Sequence, residues 1–83
     1  MFIVYILQSN LDDSYYIGQT ENLEQRLKYH NDGKSRYTKR KVPWKVVYFE
    51  EYKTRKKAIS RERFLKKQKN RSFYEKLINT FNH

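Results

Sequence analysis

Two short β-rich blocks open the chain. Phe2 to Leu7 is an unbroken run of branched, aliphatic and aromatic residues, and Tyr15-Tyr16-Ile17-Gly18 is a second, shorter one. The polar stretch Ser9 to Ser14, centred on Asn10-Leu11-Asp12-Asp13, separates them, so the pair reads as a hairpin. The pattern then changes to a helical one. Asn22 is a helix N-cap, Gln25 three residues on is its capping-box partner, and Gly33 is placed to end the helix. Residues 34–41 show no periodicity and read as a loop. Pro43 opens a third strand, from Trp44 to about Glu50, where proline costs nothing at the first position. Thr54 caps a second helix running to about Lys69. Ser72-Phe73-Tyr74-Glu75 is a capping box for a final helix with apolar positions Tyr74, Leu77, Ile78 and Phe81. The order is ββαβαα, an α/β (α+β) class. Neither repeats, low-complexity tracts nor linkers interrupt it, so the whole chain reads as one unit.

Polar residues stand where these helices need apolar ones. With Leu23 at zero on a wheel of about 100° per residue, Leu27 falls near +40°, His30 near −20° and Arg26 near −60°. Arg26 and His30 are four apart, so they meet on the face the leucines bury. A histidine there is either a satisfied core residue or a functional one. A guanidinium in that arc needs a carboxylate, a phosphate or open water. In the second helix, with Ala58 at zero, Leu65 lies near −20° and Glu62 near +40°, inside the apolar arc, whereas Arg61, Arg63 and Lys67 point elsewhere. Phe64 lies opposite that arc, against the final helix. An inward carboxylate is costly unless it is paired or binds a metal. A buried Glu62–Arg26 salt bridge would satisfy both residues, and so would a functional site. Tyr5 shares a strand face with Ile3 and Leu7, and Tyr16 precedes Gly18 in the next strand. Tyrosines in strands commonly pack, but these two could converge with the Arg/His helix face and Glu62 on one pocket. A mid-strand glycine such as Gly18 lets a ligand or another backbone approach closely.

Composition narrows the partner. The chain has 83 residues, no cysteine, and 19 Lys+Arg against 9 Asp+Glu, for a net charge of +10. That length holds one domain, burying about 60–65% of its unfolded surface. Without cysteine there is no disulfide, thiolate zinc site or thiol nucleophile. The longest apolar stretch is far short of the ~20 residues a membrane span needs, and Met1 leads straight into it without a basic n-region, so neither an anchor nor a signal peptide is expected. These features describe a small, intracellular, cytoplasmic domain. Residues 1–32 carry a balance of −3 and residues 33–83 one of +13. Lys34, Arg36, Lys39, Arg40 and Lys41 crowd around Tyr37 and Thr38. Cations interleaved with aromatics suit nucleic acid better than a membrane surface, for which no stretch is amphipathic enough. The plain alternative is a solvated basic surface.

At these residues the sequence resembles the GIY-YIG endonuclease family. The second triplet stands as Tyr16-Ile17-Gly18. The first is degenerate, Ile3-Val4-Tyr5, with the tyrosine kept. Arg26 follows Tyr16 by ten residues, His30 comes four later, and Glu62 stands in the helix after the third strand. The likeness covers roughly residues 1–79 and is greatest to short single-domain bacterial members, with their Gly-Lys-Ser-Arg-Tyr-Thr loop (33–38) and Pro-Trp-Lys-Val-Val-Tyr strand (43–48).

The resemblance implies a three-stranded antiparallel sheet flanked by helices, and metal-dependent hydrolysis of DNA phosphodiesters, with duplex or branched DNA as partner and repair or branched-DNA processing as setting. Glu62 would hold a single Mg²⁺ or Mn²⁺, with waters filling the other positions. Tyr5 or Tyr16 would activate or position the attacking water. A phenol with a reference pKa of ~10 is a poor base, so Arg26 and the metal would have to favour its phenolate. Arg26 would also hold the scissile phosphate, and His30 would bond to a tyrosine hydroxyl or to the phosphate. Gln19 stands where the excision-repair members carry a lysine, so no lysine assists from that position. Asn70 and Asn79 are the candidates for an asparagine that larger members add. One inward carboxylate is too few for a two-metal site. The competing reading is a non-catalytic basic module for DNA or RNA, with Glu62 and Arg26 paired in the core.

Overall fold

β1 (Phe2–Ser9) is the middle strand of a three-stranded antiparallel sheet, with β2 (Tyr15–Thr20) on one side and β3 (Trp44–Tyr52) on the other. In this computed structural model, which describes residues 1–81, α1 (Leu23–Asn31) follows β2, α2 (Arg55–Gln68) follows β3, and α3 (Arg71–Phe81) completes the order ββαβαα. Among the described residues no helix is long and apolar enough to cross a membrane.

A central strand with helices on both sides has no face for water, which is why residues 2–7 are apolar without alternation. Val4 and Ile6 are buried with Ile17, Ala58, Leu65 and Tyr74 on the side of α2 and α3. Tyr5 and Leu7 are buried with Trp44 on the side of α1, where Leu23 and Leu27 pack. All three strands run longer than the apolar pattern, to Ser9, Thr20 and Tyr52. Pairing with β1 carries polar residues into the ladder. Between Ile6 and Leu7 the β1–β3 register shifts by one residue, and Val47 and Tyr48 both reach the α2–α3 side.

The helix ends follow local rules. The Asn22 side chain accepts from the Gln25 N–H at 3.0 Å. Gly33 ends α1 at φ 76°, its N–H donating to the His30 carbonyl and that of Lys34 to the Tyr29 carbonyl, a Schellman close. The stretch expected as loop contains one short 3₁₀ turn, Lys39–Lys41. The final helix begins earlier than its Ser72 capping box. Asn70 supplies the cap, its side chain accepting from the Phe73 N–H. The Tyr74 hydroxyl fixes that choice: it donates to the Leu65 carbonyl at 2.6 Å and accepts from the Lys69 N–H, sealing the end of α2 onto the start of α3. Phe64 meets Phe73 of α3 at 6.2 Å between ring centroids, on the side expected.

Arg61 does not point away. It grips Glu50 of β3 in a two-pronged pair, with both N···O distances 2.9 Å and side chains only 29% and 17% exposed. The Tyr48 and Tyr52 hydroxyls donate to the same carboxylate. Burial alone would raise the Glu50 carboxyl, but the Arg61 bonds and the two phenols together hold it below the ordinary value. A carboxyl depressed in the folded state contributes stability that is complete above its unfolded pKa of about 4.3 and lost as pH falls through the folded value. Glu50→Gln should therefore lower the melting temperature by about 5–20 °C at pH 7, the equivalent of a lost charged hydrogen-bond set worth about 1.5–3 kcal/mol. Thermal melts from pH 7 down to pH 3 check it: the gap between parent and variant should close as the pH falls.

Candidate active site

β2 is an edge strand, and the two layers of the fold meet along it. Tyr16 and Gly18 pair with Leu7 and Tyr5 on the α1 side, whereas Ile17 and Gln19 pair with Ile6 and Val4 on the α2 side. Tyr5 and Gly18 are directly opposed. A Cβ on Gly18 would stand 2.6 Å from the Tyr5 hydroxyl and 2.8 Å from the ring carbon bearing it. The glycine is there for space, so that the Tyr5 phenol can lie across the edge strand.

The phenol meets α1. Its hydroxyl is 3.2 Å from His30 Nε2, and His30 Nδ1 is 2.8 Å from the hydroxyl of Thr38, a side chain as fully buried as His30 itself. Burial, and then the positive charge of Arg26, push the His30 pKa down, so the imidazole is neutral. A neutral imidazole has one N–H and one lone pair, so it donates to one of these two hydroxyls and accepts from the other. Thr38 is fixed in turn, its carbonyl accepting from the Trp44 indole at 3.0 Å. Tyr16 packs on the outer side of this line, its ring centroid 4.9 Å from that of His30 and 6.5 Å from that of Tyr5.

Burial pushes the Tyr5 hydroxyl up to about 12, and the neighbouring Arg26 recovers only part of that. Arg26 does favour the Tyr5 phenolate, but removing the phenol from water penalises its anion more than that one cation repays. Arg26 lies over the Tyr29 ring at 4.4 Å, and its Nε is buried without a hydrogen-bond partner. It opens, with Lys34, onto a hollow of about 500 Å³.

From the other layer comes Glu62, whose side chain is 16% exposed. One carboxylate oxygen accepts from the Gln19 amide at 3.2 Å, and the other lies 2.8 Å from the Lys66 ammonium. Glu62 adds a negative field at the Tyr5 hydroxyl. Among the described residues no ion pair joins Glu62 to Arg26, so the core salt bridge weighed from the sequence does not form.

Tyr5, Tyr16, Arg26, His30 and Glu62 thus gather around Gly18 at one sheet edge. The basic loop divides. Arg36, Lys39 and Arg40 are exposed, but Lys41 is tied to the β1–β2 turn, 3.3 Å from Asp12 and 3.4 Å from the Ser14 hydroxyl. Asn70 is engaged in capping α3, and Asn79 is exposed. Sequence reasoning missed Thr38, for which a hydroxyl in a basic loop gives no signal. It also missed Lys66, which the i, i+4 spacing from Glu62 could have shown.

A family model for the GIY-YIG catalytic domain matches residues 1–78. The chain belongs to the GIY-YIG family. Family membership implies nuclease chemistry. A UPF0213 protein of Clostridium perfringens is 47% identical over 68 residues, covering 81% of this chain and 72% of its own. Another, of Bacillus licheniformis, is 42% identical over 73 residues, covering 84% and 74%. The solution NMR structure of a UPF0213 protein of Bacillus halodurans is similar at a TM-score of 0.58 and 30% identity, over 96% of this chain and 85% of that one. This GIY-YIG chain therefore shares its α+β fold with a UPF0213 protein.

The Tyr5–His30–Thr38 line makes a direct test possible. Thr38→Val keeps the shape but leaves the imidazole Nδ1 buried and unpaired, which costs about 1–3 kcal/mol. The variant should melt about 5–15 °C lower, and the ¹⁵N shifts of the His30 ring should change, whereas Thr38→Ser should retain both values.

Proposed function

We propose that this GIY-YIG chain hydrolyses phosphodiester bonds of DNA with low sequence specificity, using one divalent ion. The observation that carries the reading is Arg26: a guanidinium beside Tyr5 and His30 whose Nε is buried without a partner, while the carboxylate of the same site is engaged by Lys66 and Gln19. A guanidinium so placed matches a phosphate.

The donors present fit a hard cation. Glu62 faces the site with two carboxylate oxygens, and its present partners are an ammonium and an amide, both on movable side chains. Mg²⁺ and Mn²⁺ commonly keep several waters and take oxygens from the substrate, so one protein carboxylate is a workable anchor for either. Such an ion at Glu62 would supply Lewis acidity toward a phosphoryl oxygen.

The chain's own residues divide by access. Arg26 holds a non-bridging oxygen of the scissile phosphate and neutralises the charge that builds there. Tyr16, half-buried at the rim, is the phenol that water and DNA can reach, and it orients the attacking water. Tyr5 and His30 are buried. They act as positioning residues, with Tyr5 held protonated and His30 neutral beneath Tyr16 and Arg26. Lys34, Arg36, Lys39 and Arg40 carry the flanking backbone, and the +10 charge makes that binding salt-dependent. Branched or damaged DNA, met in repair on cytoplasmic, nucleoid-associated DNA, is the proposed setting.

Nicking of supercoiled plasmid with and without Mg²⁺ or Mn²⁺ tests the reading. Glu62→Gln should abolish metal-dependent nicking at an unchanged melting temperature. Arg26→Ala should cut the rate by about 10²–10³ while DNA affinity falls far less, since the basic surface still holds the backbone. Nicking by Glu62→Gln at the parent rate would remove Glu62 from the site.

A further inference from the structure

Tyr37 is the one aromatic residue of the basic loop, and 76% of it is exposed. Its ring is braced nonetheless, resting 5.9 Å from the Tyr16 centroid at a 42° tilt. Behind the two rings lies a cleft of about 630 Å³, walled on its far side by Tyr74, Lys66 and Lys69. No carboxylate lines it. Tyr15 adds a further ring with the Arg71 guanidinium stacked on it at 4.6 Å.

Aromatic faces beside ammonium groups match a nucleotide: the base takes the ring and the phosphate the cations, Lys66 once it has released Glu62. In the body of a duplex each base face is covered by its neighbours, so a protruding phenol there can stack only on a base released from pairing. Tyr16 belongs both to this cleft and to the candidate active site, and Lys66 both to the cleft and to Glu62. A base seated there is therefore adjacent to the candidate active site.

We propose that the cleft seats an unpaired nucleotide of the DNA substrate, its base stacked on Tyr37 and its phosphate against Lys66 and Lys69. The chain would accordingly prefer single-stranded segments and the single-stranded sides of branches. This rests on the nuclease reading for its purpose, but binding is measured apart from cleavage.

In EDTA, affinities are measured by fluorescence anisotropy for a single-stranded DNA, a duplex with a single-stranded tail, a blunt duplex and a single-stranded RNA. Tyr37→Ala should weaken the single strand and the tailed duplex by about ten- to a hundredfold and leave the blunt duplex within twofold. Tyr37→Trp should restore them. Equal loss on all four ligands, or no loss on the tailed duplex, would overturn the proposal. So would Tyr37-dependent binding confined to RNA. A chain that binds in this way yet never nicks plasmid would refute the nuclease reading and leave the nucleotide seat standing.

Discussion

The central strand has no face for water, yet it carries a phenol. β1 is buried on both sides, so the hydroxyl of Tyr5 must find its partner inside the fold, and the consequences run through the whole α1 layer. Gly18 is the only residue that leaves room for the ring on the neighbouring strand. His30 must then stand at the inner face of α1 to receive the hydroxyl, and Thr38 must come in from the loop to receive the other nitrogen. Trp44 closes the sequence by donating to the Thr38 carbonyl, while Asn31 of α1 holds the Trp44 backbone through both its amide and its carbonyl. Helix, loop and third strand are thereby tied to one buried oxygen. A partly satisfied network of this kind would be worse than an apolar core, which explains why each member has its partner.

That satisfaction sets the electrostatics. Burial keeps Tyr5 protonated and His30 uncharged, so the charge at the site is carried by Arg26 and by Glu62 with its Lys66 partner. The negative balance of residues 1–32 and the positive balance of residues 33–83 do not describe two separate surfaces, because the site draws its cation from the first segment and its carboxylate from the second. Each of these residues is opposite in sign to the segment that carries it.

Periodicity made much of this legible. The helix repeat alone brings Arg26 and His30 to the leucine face of α1 and Glu62 to the inner face of α2, and the structure keeps them there. What periodicity does not carry is the partner. Glu62 and Arg26 come from helices on opposite sides of the sheet, and a wheel drawn for each helix says nothing about that separation. The wheel puts Arg61 off the apolar arc, but its long side chain reaches the carboxylate that β3 delivers at Glu50. Thr38 depends wholly on the path of the loop. The start of α3 had two adequate local caps, and a tertiary contact, the Tyr74 hydroxyl on the end of α2, decided between them.

The edge strand explains why the two charges remain apart. Had Arg26 and Glu62 both risen from one layer, direct pairing would have been the cheapest way to satisfy them, and neither would be free for a ligand. Here the sheet stands between their helices, and the space at Gly18 is taken by the Tyr5 phenol. Glu62 is occupied by a lysine one helical turn away and by the amide of Gln19, contacts that flexible side chains can release. Arg26 rests on Tyr29 and keeps an unmet donor. The arrangement sacrifices a stabilising pair, and an 83-residue domain has only about 5–10 kcal/mol in hand. A fold this small can leave Arg26 and Glu62 unpaired with each other because the bulk of its stability is placed elsewhere: in the two-sided burial of β1, and in the Glu50–Arg61 clamp that fastens α2 to β3 on the α2–α3 side of the sheet.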